Sequence, residues 1–343
     1  MNTISDFSDG RNNNFDFIRF LAATSVVFSH SFPIVTGSND SEPFSRLTQN
    51  QNTIGGVAVA MFFIVSGFLI TQSFSNSKPL KEYFLSRICR IFPALLFMVL
   101  LVVFIIGPLL TSLSLPEYFH SGQTYRYLWN MLAYSRHSTL PGVFTNNPFP
   151  NTVNGSLWSL SYEVLFYLCV PAFGLFILKK ITPATGCLIA AAGLIASGFL
   201  VTNDLAEMSN YFICGSLFYI FRKNIPLNFF LSIAAALLLL VSIKLNVCNY
   251  FLGISVGYIL LFAAFRMKLG VQGFARYGDF SYGIYIWAFP VQQMVIYFFP
   301  IQSPLLNFTV SFPFVLTLAV ISWFAVEKRS LAFKKNLVRK TTP

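Results

Sequence analysis

Residues 15–36 read FDFIRFLAATSVVFSHSFPIVT, and this stretch decides the fold. At helical rise it is roughly 33 Å long, enough to cross the roughly 30 Å hydrocarbon core of a bilayer. Apolar runs of the same kind recur at 54–73, 91–113, 157–180, 183–201, 208–223, 226–243, 246–266, 280–299 and 305–327. Hydrophobic residues make up 55% of the 343 and charged residues only 10%, against about 25% charged in a soluble domain. Backbone groups in lipid must be satisfied within helices or closed barrels, and these runs lack the alternation of barrel strands. The expectation is an all-α, polytopic integral membrane helical bundle of about ten transmembrane helices with both termini cytoplasmic.

The net charge of +11 raises the question of nucleic acid, but the cations are dispersed over short loops and one tail instead of gathered on one face. They follow the positive-inside pattern. With ten spans, 18 of the 23 Lys and Arg fall on the side of the termini, and four (Arg46, Arg126, Arg136 and Lys244) fall opposite. That imbalance is what the positive-inside rule demands. No cleavable signal peptide is expected from the polar first fifteen residues, so the first run serves as its own insertion signal. The chain stops soon after the last run, which predicts one membrane domain over 1–343 with no appended soluble domain. The five cysteines show no CxxC spacing, and they read as small apolar residues with no metal site.

A charge in hydrocarbon is costly, so ionisable groups inside the runs are functional candidates. The first run holds Asp16, Arg19 and His30. Arg19 and His30 share a helical face about 16 Å apart along the axis. Histidine suits general base work near neutral pH, although a hydrated His30 at a helix mouth would look the same. In Arg87-Ile88-Cys89-Arg90 the two arginines lie three apart, on one face, with forked donors suited to phosphate. Ordinary flanking charge is the competing reading. In Trp158-Ser159-Leu160-Ser161-Tyr162-Glu163, Ser159 and Glu163 are i,i+4 neighbours. Glu163 could orient an imidazole there, or only pack. Tyr282, Tyr285 and Trp287 read as interfacial aromatics by pattern alone, and Glu327 is expected to pair with a cation. The long loop 114–156 carries Tyr125, Tyr127, Trp129 and Tyr134, either as interfacial anchors or as a stacking platform for sugar rings. Gly253-x-x-x-Gly257 is a weak helix-packing signal.

These clusters, in this order, resemble acyltransferase family 3, the integral-membrane O-acyltransferases of bacterial surface polysaccharides. The resemblance rests on FDFIRFLAATSVVFSH, FFIVSGFLI (62–70), RICRIFP (87–93), WSLSYEVLFY (158–167), SYGIYIW (281–287) and a last run ending at Glu327. It implies acyl transfer from cytoplasmic acyl-CoA, acetyl-CoA by default, to a glycan hydroxyl at the bacterial inner membrane. O-antigen, capsule or a lipid-linked glycan are the implied acceptors. His30 then corresponds to the family's histidine, Arg19, Arg87 and Arg90 to its donor-binding arginines, and Trp158, Ser159, Leu160 and Glu163 to its Trp-Ser-Leu-x-x-Glu motif. Some relatives carry an esterase-like domain after the last span, which makes the peptidoglycan-modifying branch a poorer match.

The residues support the same chemistry. Arg87, Arg90 and Arg19 hold CoA phosphates, His30 deprotonates the acceptor, and Glu163 or Asp16 steadies the imidazolium. Ser159 and Tyr162 serve as oxyanion donors, and Tyr282 and Tyr285 join Trp158 in binding substrate. Transient acylation of His30 or a serine is an alternative route. A transporter or flippase for a lipid-linked sugar or small anion is the rival class, and it predicts inverted similarity between the two halves.

Overall fold

The computed structural model describes residues 2–8, 10, 13–76, 80–133, 137–177 and 204–341. Its main helices are α1 (Phe15–Thr36), α2 (Ile54–Asn76), α3 (Leu80–Leu110), α4 (Trp158–Ile177), α5 (Asp204–Ile220), α6 (Phe229–Lys244), α7 (Cys248–Phe265), α8 (Ser281–Phe298), α9 (Pro304–Ser322) and α10 (Lys328–Thr341). A π-helical turn, Trp323–Glu327, joins the last two. Extended pairing among the described residues is confined to isolated bridges. The class is all-α and the chain is a polytopic membrane protein.

The number of spans is corrected. Five helices among the described residues are long and apolar enough to cross a membrane, not about ten: α1, α2, α3, α7 and the stretch Pro304–Lys335. The physical reasons differ from run to run. With 17 and 16 residues, α5 and α6 reach only about 24–26 Å at helical rise, short of the hydrocarbon thickness. Helix α8 has 18 residues, but Gln292, Gln293 and its tyrosines leave it too polar. Nearly all of α8 is buried inside the protein, where polar groups find partners that lipid would deny them. The described side chains of α4 end at Ala172, and the expected span at 183–201 lies outside the described residues, as do Arg11, Lys78, Tyr134, Arg136, Lys179, Lys180 and Cys187. The placement of both termini in the cytoplasm and the 18-to-four charge division presumed ten crossings, and they are withdrawn with that number.

Helix α3 also begins earlier than its apolar run, at Leu80 instead of 91. Arg87 and Arg90 therefore lie two to three turns inside a helix, not in a flanking loop.

The chain forms two compact units. The first comprises Met1–Ala22, Pro43–Leu80 and Leu165–Tyr277, and the second Ala23–Glu42, Lys81–Val164 and Gly278–Pro343. In the first, α2 and α5 approach backbone to backbone. A Cβ on Gly67 would stand 2.1 Å from the Phe212 carbonyl oxygen, and one on Gly215 would stand 2.0 Å from that of Ile64. Small residues let membrane helices pack this closely, where dispersion does the work that water does elsewhere. The Gly253 and Gly257 pair is used as well, with added Cβ atoms meeting Cys214 at 2.9 Å and Phe218 at 2.7 Å. Asn14 closes the end of α7 by donating from Nδ2 to the carbonyls of Ala263 and Met267 at 2.9 and 2.8 Å, which satisfies orphan acceptors. Gly67→Leu is expected to force α2 from α5 and lower stability by about 1–3 kcal/mol or more. Gly122→Ala, with nothing within 4 Å of the new methyl, should leave stability unchanged. Thermal unfolding of the two variants in detergent checks both.

The second unit holds α3, α8, α9 and the long loop. Helix α3 contains a π-helical turn, Val102–Ile106, in which the Gly107 amide bonds to Val102 instead of Val103. The Val103 carbonyl this releases accepts the Tyr118 hydroxyl at 2.9 Å. Gly107 is required there, since its Cβ would fall 2.0 Å from that hydroxyl. In the loop, the Ser114 hydroxyl and amide cap the next helix and hold the Glu117 carboxyl below its usual range. Of the loop aromatics, Tyr127 is buried core, while Tyr125 and Trp129 are 49% and 59% exposed. Any outward platform or anchor is theirs alone among the described residues.

Candidate active site

Nine of the eleven residues expected to take part in catalysis or binding fall in the second unit: His30, Arg87, Arg90, Trp158, Ser159, Tyr162, Glu163, Tyr282 and Tyr285. Asp16 and Arg19 fall in the first, where they form an ion pair with each other one turn apart on α1.

Helix α8 organises the second unit. Tyr285 is buried, and its hydroxyl lies 2.6 Å from Ser159 Oγ and donates to the Ser156 carbonyl at 2.8 Å. One turn further along α8, the Phe289 ring stands edge-on to the His30 imidazole, with centroids 5.4 Å apart. The loop before α4 is pinned onto this same stretch by Asn154. Its Nδ2 donates to the Ile286 carbonyl at 2.9 Å, and its Oδ1 accepts the Ser156 amide at 3.0 Å. Pro290 explains why Ile286 is open to it, because proline has no N–H to return to the carbonyl four residues earlier. Gly155 lies directly over Phe289, where a Cβ would be 2.8 Å from the ring. Trp158 and Tyr162 stack edge to face one turn apart on α4.

His30 Nδ1 is buried and has no hydrogen-bond partner among the described residues. Neither Glu163 nor Asp16 is therefore bonded to that nitrogen. Glu163 sits on α4 one turn beyond Ser159. The buried carboxylate closest in sequence to His30 is Glu42, which accepts from Ser29 Oγ at 3.3 Å.

The two arginines of α3 have different surroundings. Arg90 Nη2 donates to Asp279 Oδ2 at 2.6 Å, and its Nη1 lies 3.7 Å from Glu327 Oε2. Asp279 also accepts the Ser281 amide and hydroxyl at 3.2 and 2.5 Å, and Glu327, wholly buried in the π-helical turn, accepts Ser322 Oγ at 3.3 Å. Trp323 lies under the guanidinium at 5.9 Å. Arg90 thus ties α3 to the start of α8 and the end of α9, and the cation expected for Glu327 is identified. Arg87 instead lies over the Tyr83 ring at 4.4 Å and donates to the Tyr83 carbonyl at 3.3 Å. Tyr282 donates to the Ile91 carbonyl at 3.1 Å, and Trp287 is buried against Phe97. Tyr285 and Trp287 are therefore interior residues, contrary to their pattern, while Tyr282 is half-buried.

Asp279, Gln292 and Asn154 escaped sequence reasoning. Asp279 sits 189 residues from Arg90, so no local spacing announced the pair. The adjacent glutamines at 292 and 293, inside an apolar run, were a legible signal of the same kind as His30.

The second unit thus carries a half-buried histidine, two helix-borne arginines and a hydroxyl pair at the head of α4. The chain belongs to acyltransferase family 3, whose acyltransferase-domain model matches residues 12–325. It is similar to the O-acetyl transferase of Shigella phage Sf6, 29% identical across 94% of this chain and 96% of that protein. Nodulation protein 10 of Rhizobium leguminosarum is 25% identical across 99% of both chains. The peptidoglycan O-acetyltransferase OatA of Listeria monocytogenes is 30% identical across 36% of this chain and 20% of its own length. No solved structure matches.

Proposed function

We propose that the chain is a bacterial inner-membrane O-acyltransferase that moves an acetyl group from acetyl-CoA to a hydroxyl of a cell-surface polysaccharide. O-antigen, capsule, exopolysaccharide or a lipid-linked precursor would serve as acceptor. The observation that carries this reading is the placing of His30 beside Phe289, one turn along α8 from the Tyr285–Ser159 hydroxyl pair. A base and hydroxyl donors close to one helix stretch are what acyl transfer between oxygen and sulfur needs. The phage and Listeria relatives are both named for O-acetyl transfer, which favours acetyl and, in the second, a glycan acceptor.

In this mechanism His30 takes the proton of the acceptor hydroxyl as its oxygen attacks the thioester carbonyl. The tetrahedral oxyanion receives the hydrogen bond of the Ser159 hydroxyl as it turns from Tyr285, whose own proton stays on the Ser156 carbonyl. Its collapse breaks the carbon–sulfur bond, and the imidazolium returns the proton to the departing CoA thiolate. Glu163 steadies the imidazolium, while Trp158, Tyr162 and Tyr282 shape the acceptor site. Arg87 holds a CoA phosphate. Arg90, already held by Asp279 and Glu327, orders the helices that present it. Arg19, paired with Asp16, would serve as a further cation for the donor phosphates.

Label from radioactive acetyl-CoA should appear in surface glycan extracted from the host when purified protein in nanodiscs is added. No label across a range of acyl donors and acceptors, with folded protein, would favour movement of a lipid-linked sugar instead.

A further inference from the structure

Helices α1 and α8 meet face to face at His30. Val27 and His30 lie three residues apart on α1, as do Phe289 and Gln292 on α8, and residues so spaced share a helical face. Phe289 packs on His30, and Gln292 Nε2 donates to the Val27 carbonyl at 2.8 Å. The Gln292 side chain therefore lies along the His30 face of α1. Gln292 is wholly buried. Its nitrogen is used twice, reaching Asn307 Oδ1 at 3.2 Å as well. Its Oε1 is buried and accepts nothing among the described residues, and His30 Nδ1 is buried and equally without a partner. The two unpartnered atoms belong to the helices that the Phe289 contact and the Val27 bond join, and one can only accept while the other can donate.

We propose that Gln292 is a positioning residue for His30. Its Oε1 takes the hydrogen of Nδ1–H across one water, and so leaves the lone pair on Nε2 for the acceptor hydroxyl. The hydrogen bond made at one imidazole nitrogen sets the state of the other. An amide oxygen does this without placing a second charge beside the ring. The inference rests on the reading of His30 as base.

The test separates the two. The chain has three histidines, so nitrogen-15 histidine spectra of the full-length protein in nanodiscs are assignable against His30→Ala. Wild-type His30 is expected to carry its proton on Nδ1. Gln292→Met, which keeps the volume and removes both polar atoms, should shift the ring towards the other tautomer. It should also lower kcat about 10–100-fold with the KM of donor and acceptor little changed. Gln292→Glu keeps an acceptor oxygen and loses the donor to Val27 and Asn307. It should retain the wild-type tautomer and exceed the methionine variant about tenfold in kcat.

If Gln292 serves only through its donor bonds, both variants fall alike and the tautomer does not move, and the proposal is overturned. A proton on Nε2 in wild-type protein overturns it too, even if neither variant folds. The tautomer is read without turnover. Full transfer by His30→Ala would therefore remove the base reading and leave this result standing, and an unmoved tautomer would do the reverse.

Discussion

His30→Ala is expected to lower kcat for acyl transfer by about 10²–10⁴-fold, the range that a positioned general base contributes. As the proposed base, the imidazole would act on a proton in flight and not on the bound donor, so the loss should fall on kcat. KM for the donor should stay within a few-fold of wild type. Stability should change little, since the ring meets Phe289 edge-on and its Nδ1 has no hydrogen-bond partner among the described residues to lose. Steady-state kinetics of the purified variant beside wild type checks this, with thermal unfolding as the control. Near-native kcat in His30→Ala would send the search for the base to another group.

The two arginines of α3 separate in the second large effect. Arg90→Ala leaves Asp279 and Glu327 facing each other without their shared cation, in a setting where Glu327 is wholly buried and Asp279 is 11% exposed. Removing one partner of a buried ion pair costs about 3–5 kcal/mol, because the remaining charge is stranded. Arg90→Ala should therefore unfold at markedly lower temperature. Arg90→Ala combined with Glu327→Gln should recover part of the loss, since one stranded charge is gone, and a double-mutant cycle measures the coupling. Arg87→Ala removes the cation–π contact and hydrogen bond to Tyr83 among its contacts, and it should raise the KM for acyl-CoA. An unchanged KM in folded Arg87→Ala would contradict this division of roles.

Membrane residence, the all-α class and the family were legible in the chain because they depend on composition, run length and local strings. The runs at 15–36, 54–73 and 246–266 each became one helix with nearly the same ends, as a lipid-facing helix must be both long and apolar. The count of about ten failed because run length was taken for span length. Helix α8 illustrates the error: its run is long enough, but its glutamines and tyrosines are tolerable only because the protein surrounds it. Helices α5 and α6 are bounded by hydrogen bonding and capping, such as Asn228 accepting from the Leu231 amide, and hydropathy does not register a cap.

Candidate residues were legible one at a time, never as pairs. A histidine or an arginine inside an apolar run is visible locally, since its cost in hydrocarbon is a property of the residue itself. Its partner is not. Asp279 lies next to Arg90, Tyr285 next to Ser159 and Gln292 next to Val27 across 189, 126 and 265 residues. Hydrogen bonds are directional and short, so only the packed helices decide which polar group meets which. The amino-acid sequence alone determined that this chain lives in a membrane, which family it resembles and which side chains are too costly there to be idle. The tertiary structure decided that one arginine is a clamp, that Tyr285 and Trp287 are interior and that a buried glutamine of α8 reaches the Val27 carbonyl of α1.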